Sequence, residues 1–163
     1  MRMRESLQTI YRVLTTDETL LRLLYYKPSD SFDNPLDSEK ANILDMDDSQ
    51  KWAIIQDVIK TTPSVANLDT EPKCRICMYH GTRDNNRNYL IANQKIIFDI
   101  LVHFDFDNVD QRLSWICDRL NELMFDKRIT GIGRVGFVRG TIIPSSYENY
   151  IAYRLIYEFG DFN

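Results

Sequence analysis

Hydrophobic and polar residues alternate most clearly across "QKIIFDILVHFDF", residues 94–106. Ile96, Phe98, Ile100, Val102, Phe104 and Phe106 take every second position, while Lys95, Asp99, His103 and Asp105 share the other face with Ile97 and Leu101. Alternation of this length predicts a strand with one covered face and one partly wet face. A second run, "YIAYRLIYEF", puts Ile151, Tyr153, Leu155, Tyr157 and Phe159 on one face of a strand expected over 149–159. "KCRICMYH" (73–80) and residues 134–143 read as two more strands, separated from their neighbours by the polar "GTRDNNRN" (81–88) and "PSSYEN". Gly81 and the pair Asn85 and Asn86 make "GTRDNNRN" a loop by composition.

Elsewhere the period is helical. Leu7, Ile10, Tyr11 and Leu14 share a face; "TTDE" follows, with Thr15 and Glu18 at capping-box spacing. Leu20, Leu21, Leu23 and Leu24 restart the apolar face until Pro28. "SQKWAIIQDVIK" predicts a short helix capped by Asp48 or Ser49, with Trp52, Ile55 and Ile59 on one side. After Asp107 or Asn108 as cap, Val109, Leu113, Ile116, Leu120 and Leu123 form the stripe of a long helix ending near Phe125, about 27 Å in reach. The elements predict an α+β fold: a mainly antiparallel four-stranded sheet covered by a long amphipathic helix, with N-terminal helices, in one domain over 1–163. Residues 28–62 form an insertion. Its first part, 28–48, holds seven acids against Lys40 alone, and is expected as a surface excursion or a mobile loop.

Charge narrows the function classes. A net charge of −4 and a pI near 5.2 lack the basic footprint of a free-standing nucleic-acid binder. Only Lys127, Arg128, Arg134 and Arg139 form a local basic group. No apolar run is long enough to cross a bilayer, so no membrane partner is expected. Three cysteines are too few for a disulfide scaffold of this size, which favours a reducing, cytosolic setting.

Three chemical signals need weighing. Gly131, Gly133 and Gly136 spell G-x-G-x-x-G, but the segment before them reads as a helix end and "FVRGTIIP" after them as a strand. A dinucleotide turn needs the reverse order. Gly131 suits the left-handed position after the helix, Gly133 continues the connection, and Gly136 and Gly140 fall on one strand face, as at a bulge or close approach. Cys74 and Cys77 lie three apart in an alternating strand and so face opposite ways, unlike a zinc knuckle on a turn. Pairing Cys117 with His103 as a nucleophile conflicts with the position of Cys117 beside an apolar stripe. Asp45, Asp47 and Asp48, and Asp105, Asp107 and Asp110, immediately precede helices, where carboxylates cap free amides. These readings leave no cofactor, no metal site and no case for an enzyme.

The helical "IYRVLTTDETLLRLL", the Ile96–Phe106 strand, the Asp107–Phe125 helix with its "RI" exit, and "YIAYRLIYEF" together carry a resemblance. The chain resembles the tail terminator, or tail completion, proteins of long-tailed bacteriophages over residues 5–26 and 73–159; the 28–62 insertion departs from that pattern. The resemblance implies a structural virion protein: a homo-hexameric ring that caps the tail tube and meets the head connector, in the tail or neck of the particle, assembled in the host cytoplasm. DNA then only passes through the lumen, near Arg134 and Arg139. Arg83 and Arg87 become an arm to the tube or a neighbouring subunit, and their replacement by Ala is expected to leave the fold intact. The half-apolar second sheet face (Ile97, Leu101, Ala152, Ile156) suits subunit packing. A stopper or neck protein at the head–tail joint is the nearest alternative, followed by an intracellular module that docks a partner through the Trp52 helix.

Overall fold

A computed structural model describes residues 2–145 and 147–163. Three helices open the chain: α1 (Met3–Thr15), α2 (Glu18–Tyr25) and α3 (Asp48–Val58). The short strand β1 (Ile59–Lys60) runs straight on from α3, followed by β2 (Cys74–Asn85) and β3 (Ile91–His103). Two helices, α4 (Phe104–Asp110) and α5 (Arg112–Met124), then lead to β4 (Ile132–Ile143) and β5 (Tyr150–Phe162). The fold is α+β. Its sheet has five strands rather than the expected four, in the order β1-β2-β3-β5-β4, with only β1 parallel to its neighbour. The extra strand is a two-residue contact, Ile59 and Lys60 against Ile76 and Cys77, too short to register as a period.

The long alternation does not all become strand. β3 stops at His103, whose Nδ1 accepts the Asp105 amide at 3.0 Å and so caps α4. Phe104 and Phe106 therefore belong to a helix; Phe106 is buried beneath the Arg112 guanidinium, 5.2 Å from its ring. The expected single helix from 107 is broken at Gln111, whose φ is +55°. Asp107 does cap a helix, accepting from the Leu113 amide of α5 at 3.0 Å, but from six residues upstream. With 13 residues, α5 reaches only about 20 Å. Asp17, not Thr15, caps α2 through the Leu20 amide (2.8 Å), and Asp47 caps α3 through that of Gln50.

The core lies between the sheet and the helical layer. Ile10, Leu14, Leu20 and Leu24 meet Ile76, Met78, Phe98, Ile100 and Tyr157 there. Two arginines are sealed inside with all three guanidinium nitrogens hydrogen-bonded. Arg75 donates to the carbonyls of Asp57 (2.9 Å) and Ala66 (2.6 Å) and to the Asp57 carboxylate (3.0 Å), which shapes the 61–72 segment. Arg112 donates to the Leu23 and Tyr26 carbonyls (2.6 and 2.7 Å) and to Asp110 (2.6 Å), satisfying the C-terminal end of α2. The acidic insertion is a surface excursion pinned in place. Ile43 is buried, Leu36, Leu44 and Met46 pack on the core, and Arg22 holds the Asp37 carbonyl at 2.9 Å.

The glycines differ from their expected roles. Asp126 (φ +58°) takes the left-handed position after α5. Gly131 lies in the approach to β4 at φ +68°, where a Cβ would stand 2.0 Å from the Gly160 carbonyl oxygen. Two register shifts interrupt β4, between Ile132 and Gly136 and between Phe137 and Arg139. The second turns Gly136 and Gly140 to opposite faces, opposite Glu158 and Leu155.

Candidate functional site

The five residues singled out from the sequence do not converge. Trp52 is half-exposed on α3, with the Lys51 ammonium 5.7 Å from its ring. Arg134 pairs with Asp126 at 3.0 Å, beside the end of α5. Arg139 stands opposite Ile156, on the sheet face away from the helices, and has no ion pair among the described residues. The two arginines of "GTRDNNRN" part company. β2 continues past Gly81 through a bulge to Asn85, so Arg83 lies in a strand rather than a loop. Its guanidinium donates to Asp161 (2.8 Å) and to the Phe162 carbonyl (2.9 Å), tying the hairpin to the end of β5. Asp161 is itself buried, so replacing Arg83 by Ala would strand a buried carboxylate and is expected to cost stability. Arg87 sits in the turn, exposed, with no hydrogen-bond or ion-pair partner among the described residues.

The second sheet face is also only partly free. Leu101 and Ala152 are covered by the chain's own Leu68 and Tyr150. Beyond that patch Arg154 grips Asp99 through two nitrogens (2.7 and 2.9 Å), and the Tyr79 hydroxyl donates to the same carboxylate. Burial, then the Asp99 hydrogen bond, pushes the Tyr79 phenol up to about 12. Cys74 and Cys77 do face opposite ways: Cys74 is in the helix-side core and Cys77 under Leu68.

Exposed apolar surface concentrates instead at the β4 flank and the distal hairpin. α5 covers β3 and β5 but stops short of β4, which leaves a groove of about 520 Å³. Its floor is Tyr153 and Leu155, its walls Leu113 and Cys117, and Phe125 and Phe137 stand at its rim. Gly140 makes the floor possible: a Cβ there would come within 3.1 Å of the Tyr153 hydroxyl and of Leu155. Burial, helped by the nearby Asp118 and Asp107 charges, pushes the Cys117 thiol up to about 12, which makes it a poor nucleophile. Asp118 sits at the groove mouth, exposed and without an ion pair among the described residues. The distal turn presents Tyr89 and Leu90 beside Phe162 of β5; these are 83%, 54% and 63% exposed. Sequence reasoning flagged the arginines of this turn and passed over its apolar residues. The signal was the apolar pair of "NYL" set in a run of asparagines.

No catalytic grouping is assembled from these parts, and no cluster of three or more His, Cys, Asp or Glu suited to a metal ion occurs among the described residues. Among them, no helix is long and apolar enough to cross a membrane. The protein's exposed apolar side chains gather along the β4 flank and at the distal hairpin. The chain belongs to the YomW family, whose profile matches residues 17–159. It is 30% identical over 165 residues to the SPbeta prophage-derived uncharacterized protein YomW of Bacillus subtilis (strain 168), covering 96% of this chain and 95% of that protein. Family membership and a prophage-derived relative give the protein a phage origin.

Proposed function

We propose that this protein is a structural component of a phage particle, a tail terminator that forms a homo-hexameric ring on the tail tube and joins it to the head connector. The observation that carries the reading is the unfinished flank: apolar side chains are exposed beside Arg139, which has no ion pair among the described residues, in a chain of phage origin. Apolar side chains exposed together on one flank fit a surface used for contact. Cyclic assembly covers it, and a ring uses two different patches on each subunit. In this reading the protein has no catalytic role and holds no cofactor. It resides at the tail–neck junction of the virion after assembly in the host cytoplasm, and meets DNA only as it passes through the lumen. The net charge of −4 fits a lumen that does not grip the duplex.

The test is genetic. Disrupting the gene in the phage or prophage that carries it should give tails of uncontrolled length that fail to join heads, seen by negative-stain electron microscopy. Tails of normal length that still lack heads would move the protein to the stopper position. Intact, infectious particles would exclude any place in the head–tail joint.

A further inference from the structure

We infer that the distal hairpin of one subunit seats in the α5–β4 groove of the next, as a head-to-tail contact between copies of this chain. The inference rests on the ring reading for its closure and names the contact that would make the ring.

The hairpin is built as a knob. Asn163 donates from its backbone to the Leu90 carbonyl (3.0 Å) and from its side chain to that of Tyr89 (2.8 Å), fixing the C-terminus to the turn. The Leu90 amide in turn donates to the Asn88 side chain at 3.1 Å. Tyr89, Leu90 and Phe162 are thus held outward by backbone already ordered, so docking them costs little further entropy. A Tyr on a rigid mount is a common interface anchor.

The groove is built as a socket for such a knob. It is apolar, open between helix and edge strand, and large enough for an aromatic side chain. The charges match as well. Arg87 beside the knob and Asp118 at the socket both lack intrachain ion-pair partners among the described residues, and they are opposite in sign. Strand-to-strand pairing along β4 is the poorer route, because its two register shifts blunt it as a template. Knob and socket occupy different parts of the chain, so the contact is heterologous, and a suitable rotation closes it into a ring.

The experiment is sedimentation equilibrium on the full-length chain and three variants, Tyr89→Ser, Arg87→Glu and Asp118→Arg, all at exposed positions. The expected result is a self-associating wild type, with each variant weakened by about 30-fold. Mixing Arg87→Glu with Asp118→Arg chains should restore association, since each charge then meets its opposite. A wild type that oligomerises and variants that do so equally well would overturn this contact and leave the ring reading standing. A wild type that stays monomeric throughout also overturns it; the ring reading is then decided by the particles lacking the gene.

Discussion

The two flanks of the sheet are finished very differently. On the β1–β2 side, α3 and the 61–72 segment close over the strands, the acidic insertion packs on α2 and α3, and two sealed arginines satisfy the carbonyls that this crowding would strand. On the β4 side α5 stops short of the edge strand, and Phe137, Val138 and Ile142 remain exposed beside the open groove. Both flanks come from one chain with one core, so the open side is not a failure to collapse. If the open flank is the contact surface proposed above, its exposed apolar side chains are kept for a partner while the other flank serves stability.

Substitutions should separate the two flanks by size of effect. The largest belongs to Arg112→Ala, which leaves Asp110 and two carbonyls buried without a donor; a loss of about 3–5 kcal/mol is expected in urea unfolding. A loss below about 1 kcal/mol would mean water reaches that site, and the contrast between flanks would weaken. Next comes Arg83→Ala, at about 1.5–3 kcal/mol, because it removes charged hydrogen bonds to Asp161 and the chain end. Tyr79→Phe should cost about 1 kcal/mol at neutral pH. Its pH signature is more telling. The folded phenol is pushed above its ordinary value of 10.0 to about 12, so its stabilisation is complete below pH 10 and lost as pH rises toward 12. The phenylalanine variant should lose less stability across that window, by parallel unfolding curves. The smallest effect belongs to the contact surface: Arg87→Ala should move stability by no more than about 0.5 kcal/mol while leaving the fold intact.

The fold class and the covered face of the sheet were legible because period and burial agree from Ile96 to Val102 and again from Leu155 to Phe159. Legibility failed where a local hydrogen bond overrides the period. Phe104 and Phe106 continue the alternation perfectly, yet the His103 ring captures the Asp105 amide and starts a helix. Asp107 was identified as a cap, but its reach across Gln111 to Leu113 depends on a left-handed residue that spacing does not reveal. The candidate surface was half visible. Arg83 and Arg87 look alike in "GTRDNNRN"; only the return of the C-terminal strand on the far side of β3, with Asp161 in reach of Arg83, gives one a buried partner and leaves the other without one among the described residues. Tyr89 and Leu90 were overlooked because the asparagines around them read as turn chemistry. Those same asparagines are what hold the two residues in the open.

If the open flank is an assembly flank, copies of the chain join through it in solution. Native mass spectrometry of the purified full-length chain over a range of concentrations tests it most directly. The expected species is a discrete ring, a hexamer of about 116 kDa from six copies of the 19.3 kDa chain. A species that stays at 19.3 kDa at every concentration would contradict it.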